Sequence, residues 1–407
     1  MSLNHLKPVL SGNIKQLEET GRAKGKEKVI TGIIRPQDGK GPRFLLEGQN
    51  DQEFLRMNAN AYLGLSLRND MIKAEEKGAQ DFGVGPGAVR FINGTYQAHV
   101  DLEKRLASFH NRAEGMIFSS AYATTLGVIY PLTTHNTMLI SDELNHNCII
   151  NAIRLGKPAG KEIYAHNNME QLEKALERSI GKANRVLVIS DGIFSMRGDH
   201  APLDELVELC EKFNDHFEEG VISVVDDSHG VGAFGPTGRG VEEYCNTRVD
   251  ILIGTLGKAF GVNGGYVVSA PEVITYLREK APTYVYSNPI TVSEAEAAKK
   301  ALDILDSDEG ITLLNHLKAM TKRFEKGLQE AGFETIPGQH PVVPLMIRDT
   351  QKTKNMVAYL FHHGILATGL TYPVVPSGDE EIRFQINAHH TKKDIDYVLE
   401  VLKNYKA

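Results

Sequence analysis

A lysine among small and apolar neighbours, in the run Gly254-Thr255-Leu256-Gly257-Lys258-Ala259-Phe260-Gly261, follows the run Val224-Val225-Asp226-Asp227-Ser228-His229-Gly230 by about thirty residues. Burial lowers the pKa of an amine and makes it competent to form an imine with an aldehyde. A carboxylate ending a buried strand, as Asp226 is expected to do, needs a cation to offset its desolvation. A protonated pyridine nitrogen would supply that cation, and His229 stands three residues further on.

Together the lysine, the carboxylate and the imidazole point to pyridoxal 5'-phosphate (PLP), an electron sink that such an ion pair would sustain. The Asp226-Asp227-Ser228-His229 tetrapeptide also has metal-ligand chemistry and could instead cap a helix; Lys258 downstream favours the cofactor, and no metal is expected. Ser119-Ser120-Ala121-Tyr122 follows a strand-like run and precedes a helical pattern, so its backbone amides could hold a phosphate. Gly83-Val84-Gly85-Pro86-Gly87-Ala88-Val89-Arg90 is a glycine-rich loop without a Walker lysine, weak as a motif by itself. His146 could stack on an aromatic cofactor or be an ordinary loop histidine. Arg383 lies in an apolar strand-like run, where a guanidinium needs an anion; a substrate carboxylate and a structural salt bridge both satisfy that need.

The elements that must position these groups are strands with near-continuous aliphatic runs at 185–190, 221–225 and 250–253, the pattern of a parallel sheet covered on both faces. Between the first two, Leu203, Leu206, Val207, Cys210 and Phe213 recur at helical spacing after Pro202, giving a β-α-β crossover. Ligands of open α/β sheets lie beyond the carboxyl ends of the strands, so Asp191, Asp226 and the segment reaching Lys258 converge there. The first fifty or so residues are polar, with a helix expected near 14–22 and a weak strand at 29–34. After about residue 294 the pattern changes to a long helix, a strand at 342–347, a helix at 352–362, a strand at 381–386 and a last helix capped by Thr391. The expected division is an arm or subdomain over 1–55, a large α/β domain over 56–293 and a smaller α+β domain over 294–407.

At 407 residues the chain exceeds the size of one usual hydrophobic core. A formal charge of −7 gives no general attraction to nucleic acid or anionic membranes. Three scattered cysteines, Cys148, Cys210 and Cys245, argue against a disulfide framework or a zinc cluster and suit a reducing cytoplasm. No signal peptide or membrane span is expected.

In this order the segments resemble the α-oxoamine synthase family of PLP enzymes, over nearly the whole chain from Asn60-Ala61-Tyr62-Leu63-Gly64-Leu65 to Ala388-His389-His390-Thr391. The resemblance implies the aspartate aminotransferase-like fold (fold type I) and a homodimer with shared active sites. It makes Lys258 the residue that bonds the cofactor and moves the Cα proton, and Asp226 the partner of the pyridine nitrogen. His229 and Ser195 would lie by the phenolic oxygen, and His146 on the ring face. Ala121, Tyr122 and Thr255 would hold the phosphate, with Ser287 reaching in from the second subunit. Arg383 would clamp the substrate carboxylate and Asn60 would lie near the substrate.

Members condense an amino acid with an acyl-CoA. Val89-Arg90-Phe91-Ile92, Gly94-Thr95 and the 368–376 segment resemble the glycine C-acetyltransferase branch, which joins glycine to acetyl-CoA. Siblings using longer acyl chains, which make 8-amino-7-oxononanoate or sphingoid-type ketones, are the next reading; an aldolase-like lyase or an aminotransferase would use the same lysine and aspartate. The chain departs from its relatives at Arg197, where an acidic residue is usual after Phe-Ser-Met, at His146-Asn147-Cys148 in place of His-Ala-Ser, and at Ala61 and Ala88.

Overall fold

The aliphatic runs build a seven-stranded sheet in a computed structural model that describes residues 2–20, 22–372 and 374–406. Gly21, within the expected helix at 14–22, and Pro373, within the 368–376 segment, lie outside the described residues. The strands are β1 Glu114–Phe118, β2 Thr137–Asp142, β3 Gly160–Tyr164, β4 Arg185–Asp191, β5 Val221–Asp226, β6 Ile251–Thr255 and β7 Gly265–Ser269. Their order is β1-β7-β6-β5-β4-β2-β3. All neighbouring pairs are parallel except those of β7, which runs antiparallel to both β6 and β1. Residues 256–264 are too few for a crossover helix, so β6 turns directly into β7, and that turn carries Lys258.

Both faces of the sheet are covered by helices, which is why its strands are aliphatic throughout rather than alternating. Leu187 and Ile189 of β4 pack with Val128 and Ile129 of helix α1 (Ala121–Leu132) and Ile149 of α2 (Asn147–Leu155). Val186 and Val188 point the other way, against Leu172 and Leu176 of α3 (Met169–Ser179) and Leu206 and Phe213 of α4 (Leu203–Asn214). The period of two along one strand thus serves two separate cores.

The C-terminal part carries α5 (Val292–Leu305), α6 (Asp308–Glu330), α7 (Thr350–His362) and α8 (Lys392–Lys403) around a three-stranded antiparallel sheet. Its strands are β8 Val342–Met346, β9 Thr368–Leu370 and β10 Glu381–Gln385, in the order β8-β10-β9. The single long helix expected after residue 294 is in fact α5 and α6. Asp306 and Ser307 interrupt it, residue types whose side chains compete for backbone partners; the Ser307 hydroxyl donates to the Ile304 carbonyl at 2.6 Å. Thr391 caps α8 reciprocally with Asp394, as the sequence spacing predicts.

The N-terminal helix Leu6–Glu19 begins earlier than expected and buries nothing, leaving Leu6, Val9, Leu10, Ile14 and Leu17 exposed along one stripe. A hairpin of Ile30–Ile34 and Arg43–Leu46 follows. It is tied to α8 by the Arg43–Asp394 ion pair at 2.5 Å. Among the described residues no helix is long and apolar enough to cross a membrane.

Candidate active site

Five strands deliver polar side chains to one edge of the sheet. β1 leads into Ser119 and Ser120, β2 into the loop ending at His146, and β4 and β5 end in Asp191 and Asp226, which are paired in register. β6 ends in Thr255, three residues before Lys258. Two adjacent carboxyls on neighbouring strand ends repel, and the structure separates their roles. Burial, then the proximity of Asp226, pushes the Asp191 carboxyl well above the usual range. Asp191 accepts the His146 backbone N–H at 2.8 Å. Asp226 is the better served by donors, with the Thr125 hydroxyl at 2.8 Å on Oδ2 and the Ser228 N–H at 3.2 Å on Oδ1. No cationic side chain lies within ion-pairing distance of Asp226 among the described residues. A buried, donor-served carboxylate without a protein cation fits the ring nitrogen of a pyridine.

Lys258 is partly buried in the β6–β7 turn. Burial of its amine pushes the pKa down, the charges of Asp226 and Asp191 oppose this, and the balance lies at about 8. The amine is therefore neutral in a substantial fraction of molecules near neutrality. His146, the N-cap of α2, is held by neighbours on its Nδ1 side: the Cys148 thiol at 2.9 Å and the Cys148 N–H at 3.3 Å. Cys148 is itself buried, and burial pushes its thiol pKa well up, so the thiol is a donor. Nδ1 is assigned as acceptor, leaving the proton on Nε2.

A second cluster joins Asn60, Tyr62 and His229 to His340 and Gln385 of the C-terminal part. His229 Nδ1 lies 2.7 Å from the Tyr62 hydroxyl, whose pKa burial raises, so the phenol keeps its proton and donates. Burial, with the charge of Lys258 second, holds His229 well below its usual pKa. It is accordingly a neutral imidazole that presents an Nε2–H. Its carbonyl meets His340 Nε2 at 2.9 Å. Asn60 lies 3.4 Å from the Tyr62 hydroxyl and 3.0 Å from the Gln385 amide.

Arg383, on β10, donates from Nη1 to the carbonyl oxygen of Ser195 at 2.7 Å. With the Gln385 amide oriented by its network, Nε and Nη2 reach its oxygen at 2.8 Å each. Both acceptors are neutral, and Arg383 makes no salt bridge among the described residues. A structural salt bridge, which would also satisfy Arg383, is thus absent among the described residues. A largely buried guanidinium served only by neutral groups, its pKa lowered by that burial, is suited to an incoming anion.

The opposite end of the site is the start of α1. Ser120 caps it, accepting the Ala123 N–H at 3.1 Å, and the Ala121 and Tyr122 amides belong to the first turn, which has no intrahelical partners. Gly265 lies against this turn, and a Cβ there would come within 2.5 Å of the backbone N and Cα of Ala121. Nearby Thr255 Oγ1 accepts the Gly257 N–H at 3.1 Å. The donor set and its glycine cradle fit a phosphate. Ser287, by contrast, bonds only to the adjacent Asn288 carbonyl at 3.4 Å among the described residues, and follows Tyr286, which is 80 % exposed. Within one chain it makes no bond to the other site residues among those described.

Sequence reasoning did not single out Tyr62, Thr125, His340 or Gln385. Their partners lie far away in the chain, 167 residues in the case of Tyr62 and His229. Only a helical period placing Thr125 one turn after Ala121 could have pointed to any of them. Among the described residues no cluster of three or more His, Cys, Asp or Glu side chains could hold a metal.

The chain is similar to known proteins over most of its length. The family model for aminotransferase class I and II matches residues 52–402. The chain is 38% identical over 375 residues to an 8-amino-7-oxononanoate synthase of Thermosipho melanesiensis, covering 91% of this chain and 92% of the relative. It is 36% identical over 402 residues to the mitochondrial 2-amino-3-ketobutyrate coenzyme A ligase of Homo sapiens, covering 98% and 92%. Among solved structures, the serine palmitoyltransferase of Sphingomonas wittichii superposes with a TM-score of 0.87 at 27% identity, over 98% of this chain and 97% of that one.

Proposed function

This chain belongs to the class I and II aminotransferase family and, within it, to the PLP-dependent α-oxoamine synthases, and from that membership we propose that it condenses glycine with acetyl-CoA, releasing free CoA and a 2-amino-3-oxo acid. The observation that carries the reading is the Arg383 guanidinium, which makes no salt bridge among the described residues and lies near enough for its charge to be felt at Lys258. An amino acid held by its carboxylate there would have its α-carbon toward the lysine amine.

PLP, when bound, supplies an aldehyde for imine exchange and a ring that withdraws electrons from Cα. The protein does the rest. Ala121, Tyr122 and Thr255 would take the phosphate, and Asp226, oriented by Thr125, would keep the ring nitrogen protonated. His146 would cover the ring face, held there by Cys148. Lys258 would bond the aldehyde through its neutral amine, yield that bond to the substrate amine, and then carry the Cα proton. His229, fixed by Tyr62, would donate Nε2–H to the thioester carbonyl as charge develops on that oxygen. Ser195 would lie by the phenolic oxygen, and Asn60 by the substrate.

Support for the glycine and acetyl-CoA assignment is the match to the human 2-amino-3-ketobutyrate coenzyme A ligase, which spans 98% of this chain, together with the quoted 89–95 and 368–376 segments. The 8-amino-7-oxononanoate synthase relatives, at similar identity, favour a longer acyl chain as the second reading. Steady-state kcat/KM for glycine, alanine and serine against acetyl-, hexanoyl- and palmitoyl-CoA separates them. Preference for glycine with acetyl-CoA is the expected result; activity confined to another amino acid with a long chain would sink the assignment.

We further propose that two copies pair and that Ser287 of each completes the phosphate site of the other. The exposed apolar stripe of Leu6–Glu19, with Phe91 at 66 % and Ile92 at 56 % exposure, supports this, since such surface is seldom left open on a monomer. Sedimentation giving the mass of a single chain at micromolar concentration would refute it.

A further inference from the structure

Between β3 and α3 the chain makes a short turn whose His166 and Asn167 reach two loops of the site. His166 Nδ1 lies 3.2 Å from Oδ1 of Asp142, at the end of β2, and Nε2 lies 3.1 Å from Oδ2 of Asp199. A carboxylate oxygen faces each ring nitrogen, so both nitrogens carry hydrogen and the ring is a cation. Asn167 adopts a left-handed backbone with φ of 54°. Its N–H donates to Asp142 Oδ2 at 2.8 Å and its side-chain amide to the His200 carbonyl at 3.0 Å. Asp199 closes the turn Phe194–Asp199, its carbonyl accepting the Phe194 N–H at 3.0 Å. The Phe194 ring stands edge-on to the His166 ring with centroids 4.3 Å apart. Next in the chain is Ser195, whose carbonyl accepts from Arg383 Nη1 at 2.7 Å. Direct contacts therefore lead from His166 through Asp199 and Phe194 to the guanidinium.

We propose that His166 is a positioning residue for the Arg383 clamp: it staples the Phe194–Asp199 turn to the end of β2, and so fixes the Ser195 carbonyl that aims the guanidinium at a substrate carboxylate. The inference rests on the reading of Arg383 as that clamp. Ser195 and Gln385 hold the guanidinium from two sides. Gln385 shares β10 with Arg383 and moves with it, whereas Ser195 is on a loop and must be held in place from elsewhere. Bonds from the Arg197 and Gly198 N–H groups to the Phe194 carbonyl, at 3.2 and 2.9 Å, set the shape of that loop; His166 ties it to the sheet. The charged groups around the ring suit this role. Burial acts against its charge, but the bonds to Asp142 and Asp199 outweigh burial and push the pKa up to about 9. Glu143 takes the His166 backbone N–H at 2.9 Å, and Arg197 Nε meets the same Asp199 oxygen at 2.9 Å. Replacing His166 by glutamine therefore leaves Asp199 paired with Arg197. Asp142 likewise keeps the Leu144 and Asn167 N–H groups, both at 2.8 Å.

The test compares glycine with glycinamide, which has the same reacting amine but no carboxylate for Arg383 to hold. Dissociation constants, each referred to the neutral amine, are read from the absorbance change of the bound cofactor in the holoenzyme. The unsubstituted enzyme should prefer glycine at pH 7.5. His166→Gln should lose about fivefold of that preference, a size usual for coupling between network neighbours. The loss should fall on glycine, with glycinamide held to within about twofold. As pH rises from 8 to 10 the His166 ring loses a proton and one nitrogen faces its carboxylate with no hydrogen between them. The preference of the unsubstituted enzyme should then fall toward that of His166→Gln. An unaltered preference in His166→Gln, or equal weakening of both ligands, as a merely structural role would give, overturns the proposal. If His166→Gln does not fold, the unsubstituted enzyme decides alone, and an equal preference at pH 8 and pH 10 overturns it. An unsubstituted enzyme with no preference for glycine over glycinamide at pH 7.5 refutes the clamp reading itself, a distinct failure.

Discussion

The amine of Lys258 should react with small aldehydes as a lysine of pKa about 8, and this can be measured before any cofactor is added. At pH 7 such an amine is neutral in about 9 % of molecules, against about 0.04 % for an ordinary lysine near 10.4, a roughly 200-fold advantage in the reactive form. Reductive methylation of the apoprotein with formaldehyde and cyanoborohydride, sampled from pH 6 to 11 and quantified peptide by peptide, gives the midpoint for each lysine. Exposed lysines serve as internal standards, and Lys258 should have its midpoint about two pH units below them. Asp226 raises the Lys258 pKa and Arg383 lowers it, so Asp226→Asn should move the midpoint further down and Arg383→Ala should move it up. A Lys258 midpoint among those of the exposed lysines, or an upward shift on Asp226→Asn, would refute the electrostatic reasoning.

Glu103 is buried and bonds Arg90 at 3.1 and 3.2 Å, Arg278 at 3.0 Å and the Ile117 N–H at 3.0 Å. Glu103→Gln strands two cations and should cost about 3–5 kcal/mol, seen as a lower urea midpoint. His166 sits between Asp142 at 3.2 Å and Asp199 at 3.1 Å; burial alone would lower its pKa, but those bonds outweigh burial and push it up to about 9. Its stabilising contribution is therefore full below about pH 6.5, the unfolded value, and is lost as pH rises through 9. His166→Gln should flatten that part of the stability profile measured by urea titration. Gly265→Ala would place a Cβ within 2.5 Å of the first turn of α1, so PLP affinity should fall by tenfold or more in equilibrium dialysis while the far-ultraviolet dichroism is kept.

The parallel sheet was legible because two-sided burial leaves a mark on every residue of a strand, as in 185–190, and because Lys258 and Asp226 stand at strand ends, where chain order alone sets their edge. The strand β7 was not read, since Tyr266-Val267-Val268 follows a glycine pair with no helix before it, and its direction is fixed by the length of the turn. The break at Asp306–Ser307 was masked by continuous helical periodicity on either side. Tyr62, His340 and Gln385 carry no local signature, because their roles come from contacts between parts distant in sequence. Arg383 was legible as a cation in an apolar run, but that its acceptors are neutral is visible only in three dimensions. Arg197 stood out as a reversed charge, and that Asp199 holds its Nε at 2.9 Å is visible only in the folded loop.

The most direct measurement is the release of CoA thiol by the PLP-loaded enzyme offered an amino acid, an acyl-CoA, or both. Thiol should appear only with both present, accompanied by an α-amino ketone or 2-amino-3-oxo acid, and should vanish in Lys258→Ala with the fold intact. Conversion of the amino acid to a 2-oxo acid or an aldehyde, with no thiol released under any combination, would contradict the assignment to acyl-CoA condensation.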